Sequence, residues 1–150
     1  RIAREIAKRR EEKPFATTGE LAEAVKAAVP RKFWQEGKNP ATRTFQAVRI
    51  EVNEELSGLY DTVCAVIDRL NSGGRLCVMS FHSLEDKLVK AALVQKSKGC
   101  TCPKDFPVCV CGKTPQIKVI TKSPVTANES ERNDNPRSRS AKLRVAEKLK

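Results

Sequence analysis

One histidine, His82, and one methionine, Met79, stand in the 150 residues, and nowhere does a Gly-x-Gly occur. An α/β sheet that binds a nucleotide cofactor normally carries glycines where its first strand turns into a helix, so that backbone can approach phosphate or ribose. The close pair Gly73-Gly74 instead precedes a strand-like run. A cofactor loop of that kind is therefore expected upstream of Arg1. A lone histidine without a nucleophile or acid partner identifies no reaction. Apolar runs long enough to span a bilayer are missing, as are internal repeats, heptads and low-complexity tracts. No charged-then-apolar leader opens the chain, so its six cysteines are expected to be thiols or metal ligands rather than disulfides. The expected compartment is the cytoplasm, with no membrane partner. Helical periodicity from the first residues, with no initiator before them, reads as a fragment.

What is present is positive charge. Lys and Arg outnumber Asp and Glu by 29 to 18, for a net charge of +11, and favour a polyanionic partner. A hydrophobic content of 39% suffices for one core or two small ones.

Along the chain, "RIAREIAKRREEK" has helical spacing at Ile2 and Ile6. Thr17 with Glu20 forms a capping-box signature, and Leu21, Ala24, Val25 and Ala28 then share a face until Pro30. Phe33 and Trp34 in the basic loop "RKFWQEGKNP" suit anchoring to a core, or stacking on a base. A helix capped by Asn39 carries Phe45, Val48, Val52 and Leu56 on one face, with Arg43, Arg49 and Glu51 opposite. The period resumes through Leu59, Val63, Val66 and Leu70 after a break at Ser57-Gly58. "RLCVMSF" then reads as a strand buried on both faces, and "SLEDKLVKAALVQKSK" as a helix capped by Ser83. Helix, strand, helix over residues 59–97 is the rhythm of an α/β domain with a parallel sheet. "IKVITK" and "AKLRVAEKL" alternate as a sheet-edge pair, and a boundary falls near residues 53–58.

Three stretches could carry chemistry. Ser80, His82 and Ser83 stand at the carboxyl end of the strand, where ligands of open parallel sheets bind. They read as a substrate-facing rim, or as a helix cap beside a histidine hydrogen-bonded for structure. Cys100, Cys102, Cys109 and Cys111 form two C-x-C pairs followed by Gly112. Four thiolates could close a tetrahedral zinc site of structural type, with a loop lacking metal as the alternative. Cys64 and Cys77 fall within apolar patterns and read as core residues. Arg137, Arg139, Lys142 and Arg144 in "NPRSRSAKLR" read as phosphate contacts or as a solvated face, and Arg4, Lys8, Arg9 and Arg10 add charge at the other end.

Taken in order, "NPATRTFQAVRIEVNEEL", "GGRLCVMSFHSLEDKLVK", "CTCPKDFPVCVCG" and "NPRSRSAKLRVAEK" resemble the C-terminal half of the bacterial small-subunit ribosomal RNA cytosine-N(4) methyltransferase family. The resemblance covers essentially the whole chain. It implies an S-adenosylmethionine-dependent enzyme with a Rossmann-like α/β catalytic domain into which a helical domain is inserted, acting on a decoding-site cytidine. Residues 1–55 would be the latter part of the helical, substrate-side insertion, and residues 56–150 the C-terminal half of the catalytic domain. Arg75 to Phe81 would be a late parallel strand, with His82 and Ser80 as catalytic candidates on the rim. Arg43, Arg49, Arg137, Arg139, Lys142 and Arg144 would contact RNA.

Amine methylation needs no cysteine nucleophile, because alignment of the nitrogen lone pair with the methyl-sulfonium bond does most of the work. Thr101-Cys102-Pro103 superficially resembles the cysteine motif of carbon-methylating enzymes. Neither Asn39-Pro40 nor Asn135-Pro136 extends to the Pro-Pro-aromatic motif of many amino-methyltransferases. No cofactor-binding residue is expected within this chain, which alone is expected to be inactive. The partner would be small-subunit ribosomal RNA or the assembling small ribosomal subunit, with self-association through uncovered sheet edges. A non-catalytic, basic RNA-binding module, zinc-stabilised, is the alternative.

Overall fold

Six α-helices and one four-stranded sheet form in the computed structural model, which describes residues 1–149 except 101, 104–106 and 109. The chain divides into two compact units, Arg1–Glu55 and Leu56–Lys150.

In the first unit, α1 (Ile2–Glu12) packs on α2 (Thr18–Ala28), and α3 (Thr42–Val52) follows a basic turn. The capping box forms as the sequence indicates. Thr17 Oγ1 accepts from the Glu20 amide at 3.2 Å, and Glu20 Oε2 accepts from the amides of Thr17 and Ala16. Ala24, Val25, Ala28 and Ala41 are buried. Small side chains make this a thin core. Phe33 and Trp34 do not anchor it: Phe33 is 66% exposed, and Trp34 is held at its rim, donating its indole N–H to the Val29 carbonyl at 3.0 Å.

α3 ends at Val52, short of the expected Leu56, and the second unit begins with α4 (Leu59–Arg69), whose N-cap Gly58 takes φ +73, a left-handed conformation in which glycine has no Cβ penalty. Gly73, at φ +77, turns the chain into β1 (Arg75–Ser80), and α5 (Ser83–Ser97) follows. Then come β2 (Ile117–Val119), β3 (Val125–Thr126), α6 (Glu129–Asp134), a 3-10 turn at Pro136–Ser140, and β4 (Lys142–Lys148). β4 is the centre of the sheet. β1 pairs along its whole length, from Arg75 opposite Glu147 to Ser80 opposite Lys142, while β2 and β3 pair with its two halves.

All these pairings are antiparallel, which departs from the expected parallel sheet. The helix–strand–helix segment supplies a single strand, and its partner within the described residues is a strand returning from the far end of the chain. Val63 and Ile67 of α4, Val89, Ala92 and Leu93 of α5, Ile117 and Ala146 form one core, with Leu76, Val78 and Val119 packed against it. β1 is thus covered on one face only. Its alternate residues Arg75, Cys77 and Met79 are exposed, so neither a doubly buried strand nor a core Cys77 is found, while Cys64 packs against the core. Across the exposed face Arg75 pairs with Glu147 at 2.8 Å.

Ile67 is fully buried where α4, α5 and the sheet meet. Ile67→Ala should lower the unfolding free energy by about 2–5 kcal/mol in a urea titration; a loss below about 0.5 kcal/mol, the range of surface substitutions, would mean that the core lies elsewhere.

Candidate functional site

The turn from β1 into α5 is built from its own side chains. His82, rather than Ser83, is the N-cap, because only residue 82 is followed three positions later by Glu85. Its Nδ1 accepts from the Glu85 amide at 3.3 Å, and Glu85 Oε2 accepts in return from the amides of Phe81 at 2.9 Å and His82 at 3.1 Å. The Asp86 amide donates to the His82 carbonyl at 3.2 Å. With Nδ1 accepting, a neutral imidazole carries its proton on Nε2, which lies 3.5 Å from Glu85 Oε1. Ser80 is buried, on the strand face that also carries Leu76 and Val78. At residues 80–83 the structure shows the start of a helix, with the histidine itself as its cap.

One turn into α5, Asp86 meets Arg144 of β4. Arg144 alternates with Ala146 on the inward face of the strand and is 5% exposed. Its Nε and Nη2 donate to the two Asp86 oxygens at 2.6 and 3.0 Å, a bidentate pair. Lys142 Nζ stands 3.7 Å from Asp86 Oδ2. The hydrogen bonds from Arg144 outweigh burial, and with the charges of Arg144 and Lys142 they hold the Asp86 carboxyl below its ordinary value.

The basic residues read as RNA contacts separate into two groups. Arg43, in the first turn of α3, is exposed, as are Arg137 and Arg139 in the 3-10 turn. That turn is fixed where Asn135 Oδ1 accepts from the Arg137 amide at 3.2 Å, and where Ser138, buried, donates its hydroxyl to the Glu131 carbonyl. The other group is engaged within the fold. Arg144 is enclosed with Asp86, a correction to its reading as an RNA contact: alternation with Ala146 turns it inward. Lys142 is half-buried beside the same carboxylate, and Arg49 reaches Glu55 with Nε–Oε1 2.8 Å and Nη2–Oε2 3.0 Å. In the first unit a cleft lined by Val29, Phe33, Gln35, Lys38, Pro40 and Arg43 presents an apolar and basic wall together. The sulfurs of Cys100, Cys102 and Cys111 lie within 4.8 Å of one another, while Cys109 falls outside the described residues.

The sequence places Asp86 within the helix that follows the strand, but its partner in β4 was not read from it. The signal available was alternation: in Lys142–Lys148 the residues in step with Ala146 include Arg144, and an arginine on an inward face requires an acid. The polar connection before β4 hid α6, although Asn128 with Glu131 is a cap signature; Asn128 Oδ1 accepts from the Glu131 amide at 2.8 Å.

Comparison with known proteins gives a match to the family model described as the MraW methylase family, over residues 1–149. Among curated relatives, the ribosomal RNA small subunit methyltransferase H of Geobacter sp. (strain M21) is 53% identical over 149 residues, 99% of this chain and 48% of the relative. The protein of the same name from Heliobacterium mobile is also 53% identical, and that from Geotalea uraniireducens (strain Rf4) 56%, with the same coverage. The chain spans about half the length of the curated relatives it matches.

Asp86→Ala leaves Arg144 buried without its acid and should cost about 3–5 kcal/mol, whereas joint replacement of Asp86 and Arg144 by leucine should recover most of that. Because the folded carboxyl titrates below its unfolded value near 3.9, its contribution is complete above that pH and is lost as pH falls through the lower folded value. Urea unfolding of the protein and both variants between about pH 3 and 7 checks the sign; equal acid sensitivity of protein and double variant would contradict it.

Proposed function

The chain belongs to the MraW methylase family, and from that premise we propose that it is the substrate-side part of an S-adenosylmethionine-dependent methyltransferase. Its target would be the exocyclic N4 amine of a cytidine in small-subunit ribosomal RNA, free or in the assembling subunit, in the cytoplasm. The observation that carries the proposal is the family match over residues 1–149. In this reading Arg1–Glu55 is the latter part of a helical insertion, and Leu56–Lys150 closes a Rossmann-like sheet. The exposed face of β1 with Cys77 and Met79, and the edge of β1 away from β4, suit coverage by further strands. Left uncovered, they favour self-association.

The methyl donor finds little to bind in these residues. At the N-terminus of α5, where an anionic group would dock on backbone amides, the amides of Phe81, His82 and Glu85 are taken by the side chains of Glu85 and His82. No glycine follows β1 before Gly99 to bring backbone against ribose. The residues present therefore do not fit S-adenosylmethionine, and no step of its handling is assigned to them. Their part is to position RNA. Arg43 in the first unit and Arg137 and Arg139 in the second are the exposed phosphate contacts, with half-buried Lys142 a further one; Arg49 and Arg144 each hold the unit in which they sit.

Replacing Arg137 and Arg139 together by glutamate should weaken RNA binding and flatten the log–log salt dependence by roughly 1.5–2, as expected when two phosphates are no longer neutralised. An unchanged slope in filter binding across salt concentrations would leave the turn a solvated face. His82→Asn keeps a capping acceptor. In the full-length enzyme it should preserve melting temperature and turnover alike; a fall in turnover at unchanged stability would give the imidazole a part in the chemistry.

A further inference from the structure

We propose that Cys100, Cys102 and Cys111 hold a structural zinc ion that knots the loop joining α5 to β2. This site is independent of the methyltransferase reading.

The loop needs such a knot. Its ends are pinned: the Gln116 amide donates to the Lys96 carbonyl at 2.9 Å, and Gly99 lies so close to the far limb that a Cβ there would stand 2.9 Å from Pro115 Cδ. Between the ends, little apolar surface is buried among the described residues, with Val108 and Val110 70% and 74% exposed. The described residues of this connection form no helix or strand, and ordering them costs conformational entropy that their own hydrophobic burial does not offset.

The sulfurs supply the missing cross-link. Those of Cys100, Cys102 and Cys111 lie within 4.8 Å of one another, and Cys111 Sγ is 3.8 Å from Cys100 Sγ. Two thiolates bound tetrahedrally to one zinc at about 2.3 Å stand about 3.8 Å apart. The observed separation is that of two ligands on one ion, and nearly twice the bonded distance of about 2.05 Å in a disulfide.

The surroundings suit bound thiolates as well. The Cys102 amide points at Cys100 Sγ at 3.3 Å, the kind of outer hydrogen bond that orients a metal ligand. Gly112, at φ +61, bends the chain directly after Cys111, and Lys98 and Lys113 flank the cluster in sequence with positive charge. An all-sulfur donor set with no carboxylate selects a soft or borderline ion. Three thiolates on one zinc and no carboxylate beside them are the donor set of a structural site.

The test is metal analysis of the intact protein, purified without a histidine tag under reducing conditions, followed by replacement of the metal with cobalt. About one zinc per chain is expected, retained on dialysis, with the cobalt form showing thiolate-to-metal charge transfer and the intense visible bands of a tetrahedral site. Cys102→Ser and Cys111→Ser should each abolish the cobalt spectrum while far-ultraviolet circular dichroism is kept. Should either variant fail to fold, the stoichiometry and the cobalt spectrum of the unaltered protein decide alone. Protein that carries no zinc and takes up no cobalt would overturn the proposal, as would iron with an iron–sulfur absorption in place of zinc.

Discussion

The pair between Asp86 and Arg144 is the constraint on which the second unit depends. Arg144 lies on the inward face of the central strand, two residues from Ala146, in a position where a cation without a partner would cost several kcal/mol. Asp86 meets it from the first turn of α5 with both oxygens. The start of the helix is thereby tied to the middle of the sheet, and the turn at residues 80–83 has one place to run. Local forces then act in the same direction. His82 and Glu85 close the capping box, Ile67 and Leu93 belong to the core of the same unit, and Lys142 adds a second positive charge at the Asp86 carboxylate.

That arrangement determines what the turn can offer a ligand. A helix N-terminus beside a strand end is an anion site when its amides are open. Here Glu85 supplies the anion itself, and the amides that a carboxylate or phosphate would use are occupied. The amides of the turn are engaged within the protein, and in our reading a polyanion would instead meet exposed arginines, Arg137 and Arg139 of the 3-10 turn in the second unit and Arg43 of α3 in the first. Basic charge is thus divided between cations that hold the fold and cations that face solvent.

Much of the fold was legible in the sequence because it rests on short-range rules. The Thr17–Glu20 capping box, the separate helices on either side of Gly58, the strand at Arg75–Ser80 and the pairing of β2 with β4 all follow from spacing and turn residues. What was not legible depends on partners distant in sequence. The antiparallel direction of β1 is set by a strand that arrives more than sixty residues later, at Lys142. The exposure of Cys77 and Met79 depends on which face of the sheet receives helices, and an apolar run does not announce that. Of the candidate site, the turn from strand into helix was readable, but the capping role of His82 lay one residue from the expected Ser83, and Arg144 read as a surface charge because its acid is 58 residues away.

In our reading the family match makes the whole enzyme a methyltransferase, and the methyl donor's site lies in residues other than these. Calorimetric titration of S-adenosylmethionine into this chain, with and without a small-subunit RNA fragment, tests that division most directly. The expected result is no saturable heat from the methyl donor in either case. One-to-one binding to the chain alone would contradict it, because the amides at the start of α5 would then have to open to a ligand.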